Sequence, residues 1–216
     1  MPSTLTTRLE QCYAAAVHDV LRGMGHPNCV LPPQIRALDP TRRLAGAIYT
    51  VSGRIDQTRS AHDTLLAWTG LLSKAPAGKV VVCQPNTHKV ALMGELSAET
   101  LNNKGVLGYV VDGGCRDTDF ILKQGFPVYC SFNTPADIVA RWMPDHFGEP
   151  VTIGDVTISS GDYLLGDRDG VVIIPGEIVE EVVTKTEEVT RTESSIRSAI
   201  LGGMDPQEAY LKFGKF

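Results

Sequence analysis

The chain has 216 residues, 43% of them hydrophobic, 21% charged and 6% aromatic, with a formal net charge of −5. That length and apolar share suffice for one domain over 1–216, and the lack of a basic excess excludes the electrostatic footprint of a nucleic-acid binder. Five cysteines, Cys12, Cys29, Cys83, Cys115 and Cys130, are odd in number and lack C-x-x-C spacing, which argues for reduced thiols over a disulfide framework or a zinc site.

Leu5, Leu9, Cys12, Ala16 and Val20 recur at spacings of three and four, with Ser3 or Thr4 as a cap and Gly23 as a stop, which predicts an amphipathic helix over 4–23. Met1 leads into a polar stretch and no apolar run reaches transmembrane length, so a soluble cytoplasmic protein without a membrane partner is expected. Pro27, Pro32, Pro33 and Pro40 then interrupt the chain until Leu44–Val51, whose β-branched and small residues predict a strand; a helix over 60–74 follows. Lys79–Cys83, bounded by turn residues, reads as a buried strand.

A helix over 95–103, a strand over 107–112, a helix over 118–124 and a strand over 128–131 continue a β-α-β-α-β alternation, which calls for a largely parallel sheet. Ligands in such sheets sit beyond the strand C-termini, where Asp112–Asp117 fall. The stretch 133–148 reads as an extended loop. After Pro150, two Val-Thr-Ile triplets flank Gly154-Asp155 as a tight hairpin. Strands within 160–167 and 170–175 precede a long helix over about 177–201, whose apolar stripe suits either this subunit or a neighbour. The tail 212–216 reads as a loose end.

The chemistry concentrates at Gly108–Asp117, where an apolar strand runs into Gly113-Gly114 and then sets Arg116 beside Asp117. Glycines at a turn let a ligand approach the backbone closely. Net negative charge opposes an anionic substrate, so a site for one must concentrate positive charge locally, as Arg116 does. Glu95 stands before the twenty residues 96–115 that lead to Arg116. A helix starting there offers the free amides of Leu96 and Ser97 to a carboxylate, and the planar fork of Arg116 suits the same two-oxygen group. Two plainer readings stay open: an ion pair of Arg116 with Glu95 or Asp117 that fixes a turn, and Asp117 as a helix N-cap. As a metal ligand Asp117 could act nearly alone, since magnesium takes one or two protein carboxylates and fills its shell with water and substrate oxygens. The five histidines show no zinc spacing, Ser159-Ser160-Gly161 lacks a G-x-S-x-G elbow, and neither G-x-G-x-x-G nor a P-loop lysine is present, so dinucleotide and methyl-donor sites are unsupported.

Glu95, the twenty-residue span and Arg116-Asp117, together with His18-Asp19-Val20-Leu21, Leu44-Ala45-Gly46 and Asp169–Pro175, resemble the ribonuclease E inhibitor A-like (RraA-like) family, which includes class II 4-hydroxy-4-methyl-2-oxoglutarate aldolases. The resemblance implies an α/β, swivelling three-layer β/β/α domain with a partly parallel sheet, assembled as a homotrimer or a hexameric dimer of trimers. It implies a lyase that cleaves a 4-hydroxy-2-oxo acid to pyruvate and a second carbonyl compound, with oxaloacetate decarboxylase activity through the same enolate. Arg116 and the Leu96 and Ser97 amides would hold the carboxylate, Asp117 would hold magnesium or manganese, and Glu95 would organise water there and take part in proton transfer. Glu193 is matched to an acid that the neighbouring subunit's C-terminal helix contributes. Other relatives are protein-binding regulators of ribonuclease E that tend to lose the motif acids, so retention of Glu95 and Asp117 points to the aldolase branch. Two departures stand out: Asp is usual where Glu95 stands, and 133–148 is longer and more aromatic than the family's loop.

Overall fold

The structure, a computed structural model, describes residues 4–214. Its elements in chain order are α1 (Thr4–Glu10), α2 (Ala14–Gly23), β1 (Arg36–Ala37), β2 (Leu44–Ile55), α3 (Ala61–Lys74), β3 (Val80–Gln84), α4 (Glu95–Asn103), β4 (Gly108–Cys115), α5 (Thr118–Gln124), β5 (Val128–Asn133) and β6 (Trp142–Phe147). The hairpin β7 (Val151–Ile153) and β8 (Val156–Ile158), β9 (Tyr163–Gly166), β10 (Val171–Ile174), α6 (Val179–Leu201) and α7 (Pro206–Phe213) follow. The twelve residues of β2 tie the sheet together. Its first half pairs antiparallel with β9, and its second half pairs in parallel with β3 and antiparallel with β6. From β2 the sheet continues through β3, β4 and β5 in parallel, with α3, α4 and α5 as the intervening crossovers.

Strand sequences that are apolar at every position demand cover on both faces, and both are covered. Val81, Cys83, Tyr109 and Val111 face Trp68, Leu71, Leu101 and Ile121 of the crossover helices. Val80, Val82 and Val110 face Ile153, Ile158, Leu164 and Ile173 from the strand-rich C-terminal part. Leu165, Val172 and Ile174 turn the opposite way, onto Leu9, Val17, Leu21, Val182 and Val183. The result is the three-layer β/β/α arrangement with a further helical layer of α1, α2 and α6 outside it. Each such aliphatic side chain contributes about 1.5–3 kcal/mol on burial, so the alternation along β3, β4 and β10 fixes the strand register.

Four expectations change. The helix predicted over 4–23 is broken at Gln11–Tyr13: Tyr13 is extended (φ −131°, ψ 152°) and the Ala14 N–H donates to Asp167 Oδ2 at 2.8 Å, a tertiary bond that periodicity cannot register. Ser3, a proposed cap, lies outside the described residues, and Thr4 is already helical. The 133–148 stretch is no loop throughout, since β6 pairs with β2 and buries Trp142, whose Nε1 donates to the Pro85 carbonyl at 2.8 Å. Pro144 hides this edge strand from a propensity reading.

The tail is ordered further than expected: Asp205 caps α7 through bonds from the Gln207 and Glu208 amides, while 215–216 lie outside the described residues. α6 begins after a 3-10 turn and buries Val179, Val182, Val183 and Thr186, so its first half covers its own subunit. No helix among the described residues is long and apolar enough to cross a membrane.

Candidate active site

β4 runs through both glycines to Cys115, so Gly113 and Gly114 belong to a strand with an irregular register after Val111 and form no turn. The glycines still serve close approach. A Cβ on Gly114 would stand 2.8 Å from the Val90 carbonyl and 2.9 Å from the Phe132 ring. The space left lets the segment entering α4 run alongside the end of β4, with Leu92 N–H donating to the Gly114 carbonyl (2.8 Å) and Arg116 N–H to the Met93 carbonyl (2.9 Å). The first turn of α4 is thereby set against Arg116-Asp117.

Gly94 caps α4 in an extended conformation open to any residue, and contact explains its identity: a Cβ there would fall 2.7 Å from Asp117 Oδ2. Asp117 stands at the N-cap position of α5 but makes no capping bond. Its backbone is left-handed (φ 55°), a conformation that costs a side-chain-bearing residue on the order of 1 kcal/mol. Its carboxylate accepts instead from the Glu95 N–H (Oδ2, 3.2 Å) and from Arg116 Nε (Oδ1, 3.3 Å). The capping alternative is therefore not what the side chain does.

Arg116 pairs with Asp117 and, through Nη1 at 3.5 Å, with Asp137; the Glu95 pairing raised from the sequence is not among its contacts. Its side chain is 37% exposed. The Ser97 hydroxyl accepts from Trp68 Nε1 at 2.9 Å, which pins the first turn of α4 to α3, and Gln124 Nε2 reaches the Glu95 carbonyl at 3.4 Å. Leu96 and Ser97 amides have no partner within the helix, as in any first turn.

Glu95, Leu96, Ser97, Arg116 and Asp117 all line one cleft of about 570 Å³. Its positive N-terminal helix end and guanidinium can together hold a carboxylate. Glu193 is elsewhere: it accepts a short hydrogen bond from the Tyr13 hydroxyl, on the α1–α2–α6 layer of its own subunit. Burial, then that bond, pushes the Tyr13 phenol up to about 12.

Asp112, weighed as a support for Asp117, is a buried strand residue bonded to His88 and Ser131, both at 2.9 Å. The Cys115 thiol is fully buried and raised above its ordinary range by its bond with Cys130 and by burial, as suits an inert thiol. Asp137, Trp68 and Gln124 were not singled out by sequence reasoning. Asp137 does lie in the segment whose length departs from the family's, which was the one available signal.

A donor set of hard carboxylate oxygens fits a divalent ion. A carboxylate offers about four lone-pair sites, and Asp117 uses two of them in the bonds above. No group of three or more His, Cys, Asp or Glu among the described residues could hold a metal by itself, so an ion here would rest on Asp117, with Glu95 near it and water and substrate completing the shell.

The family model described as RraA-like, Aldolase/RraA, matches residues 14–173. A protein named "Putative 4-hydroxy-4-methyl-2-oxoglutarate aldolase" from Ectopseudomonas mendocina is 35% identical over 67% of this chain and 88% of its own length. Protein DlpA of Legionella pneumophila is 28% identical over 97% of the chain, which spans only 33% of that relative's length. The solved structure of Streptomyces coelicolor RraAS2, described as an unusual member of the RNase ES inhibitor RraA protein family, superposes with a TM-score of 0.81 at 25% identity, covering 92% of this chain and 99% of that one.

Proposed function

We infer the function from one premise: the chain belongs to the RraA-like, Aldolase/RraA family. The reading it supports best is a divalent-metal-dependent class II aldolase that cleaves a 4-hydroxy-2-oxo acid, the class to which 4-hydroxy-4-methyl-2-oxoglutarate belongs, to pyruvate and a second carbonyl compound. Oxaloacetate decarboxylation is a second outlet of the same enolate. The observation that carries the reading is the Asp117 carboxylate, held in a left-handed backbone against the first amide of α4 and beside Arg116 when it could have capped α5.

In this reading Arg116 and the amides of Leu96 and Ser97 bind and orient the 2-oxo acid carboxylate. Asp117 holds Mg2+ or Mn2+, with Glu95 on its water side. When bound, the ion supplies a positive charge beside the enolate oxygen, the part a Schiff-base lysine plays in other aldolases. Glu95 accepts the 4-hydroxyl proton as the C3–C4 bond breaks, and the electron pair passes to the enolate. Trp68 keeps the α4 amides in place through Ser97. Glu193, from a neighbouring subunit's α6, supplies the second proton-handling acid in a homotrimer or dimer of trimers, with the substrate as the only small-molecule partner.

A second reading, a protein-binding regulator, is favoured by the likeness to the ribonuclease-inhibitor structure. The acid pair lining a cleft beside an arginine weighs for chemistry. Protein stripped of divalent ions and then given Mg2+ should release pyruvate from 4-hydroxy-2-oxo acids and from oxaloacetate. Catalytic silence together with tight capture of ribonuclease E would reverse the ranking.

A further inference from the structure

The cleft at Arg116 has two chemistries. Its charged part holds the carboxylates of Glu95, Asp117 and Asp137 and one guanidinium, and among the described residues that line it Arg116 is the sole basic side chain. Much of the remaining lining is apolar: Leu65, Trp68 and Leu72 from α3, Leu96 from α4, and Ile138 and Val139. Leu65 and Leu96 are 46% and 75% exposed, so apolar surface here is open to a ligand, while Trp68 and Ile138 form the buried backing.

This wall is fixed. The Ala140 N–H donates to Thr64 Oγ1 (3.0 Å), the Ala91 N–H to the Ala136 carbonyl (2.7 Å) and the Val139 N–H to Asp137 Oδ1 (3.1 Å). Trp68 packs edge-on against Trp142, with centroids 6.0 Å apart. The segment that departs in length from the family's thus supplies part of a rigid hydrophobic surface and an additional acid next to Arg116.

Charge then limits the substrate. Once Arg116 takes the 2-oxo acid carboxylate, a second carboxylate on the same molecule finds no side-chain cation in the cleft. It meets Asp137 or the apolar wall instead, where an unpaired carboxylate is strongly disfavoured. An alkyl or aryl group loses nothing there and gains by leaving water. The volume of about 570 Å³ also lies within the range of roughly 300–1,000 Å³ that holds ligands much larger than pyruvate.

Resting on the aldolase reading, we propose that the carbonyl half of the substrate is uncharged and apolar. The site selects a monocarboxylic 4-hydroxy-2-oxo acid with an alkyl or aryl substituent at C4 over a dicarboxylic one. Cleavage breaks the C3–C4 bond; the 4-hydroxyl loses its proton and becomes the carbonyl of an apolar aldehyde or ketone. The electron pair forms the enolate, and C3 takes up a proton to give pyruvate, with no redox change.

The test compares initial rates of the full-length protein with Mg2+ on 4-hydroxy-2-oxo-4-phenylbutanoate and on 4-hydroxy-4-methyl-2-oxoglutarate. We expect kcat/KM to favour the phenyl substrate by at least about 10-fold, the lower end of what one apolar pocket contact discriminates. Equal rates, or preference for the dicarboxylate, overturn the inference. Deuterium exchange into the pyruvate methyl group reports on the enolate half alone. Exchange without an apolar preference sinks this inference and leaves the aldolase reading standing, whereas absence of exchange sinks both. Leu65→Arg, a change on an exposed face of α3, should narrow the ratio by roughly 10-fold toward the dicarboxylate. A ratio that does not move means the substrate never reaches this wall.

Discussion

The carboxylate of Asp117 accepts the backbone N–H of Glu95 at 3.2 Å, joining the end of β4 to the start of α4. This one bond makes a site of two segments that the fold could have left as separate loops. It also separates two roles of Asp117, a neutral acceptor that positions α4 and a negative charge that holds a cation. Asp117→Asn keeps an acceptor and removes the charge. We expect kcat/KM for pyruvate-releasing cleavage to fall by about 100-fold or more with little change in Tm; a calorimetric melt beside the kinetics checks both.

Gly94→Ala tests the contact from the other side. The glycine φ of −149° is open to alanine, so any effect comes from the Cβ placed 2.7 Å from Asp117 Oδ2. Displacing that carboxylate should cost about 1–3 kcal/mol of stability, as overpacking does, and lower Mg2+ affinity by titration calorimetry. Wild-type affinity in this variant would mean the carboxylate is free to swing.

Trp68→Phe retains the ring packed against Trp142 but removes the N–H that reaches the Ser97 hydroxyl at 2.9 Å. The loss should be about 1 kcal/mol in stability. Because the bond positions amides that hold substrate, KM should rise more than kcat falls.

Much of this arrangement was legible in the chain. The runs Val80–Cys83 and Tyr109–Val111 are apolar at every position, which announces parallel strands covered on both faces, and the spacing of Glu95 from Arg116-Asp117 found residues that do line one cleft. Gly113-Gly114 was misread as a turn because glycine signals close approach without saying whether the neighbour is a ligand or, as here, the 90–92 backbone. The β6 strand was hidden by Pro144, and the Asp137 contact depends on how β6 anchors the loop before it. The partner of Glu193 was invisible because it depends on the α6–α2 packing.

The Tyr13–Glu193 contact has a pH signature. Folding raises the phenol from its ordinary value of 10 to about 12. A raised pKa contributes stability that is complete below the unfolded value and fades as pH rises from about 10 to about 12. Tyr13→Phe should therefore flatten part of the alkaline stability loss across that window, measured by denaturant titration against the wild type.

If Glu193 also serves a neighbour's cleft, Asp117→Asn and Glu193→Gln subunits, each impaired alone, should regain activity when unfolded and reassembled together. Activity no greater than that of the separate variants would confine Glu193 to its tyrosine contact.

The most direct measurement follows deuterium from solvent into the methyl group of pyruvate by NMR, using wild type and Asp117→Asn, each stripped of divalent ions and then given Mg2+. Exchange should appear in the wild type only after the ion is added and should be lost in the variant. Exchange that ignores the ion, or that survives the loss of the Asp117 charge, would contradict the proposal that this cleft stabilises an enolate.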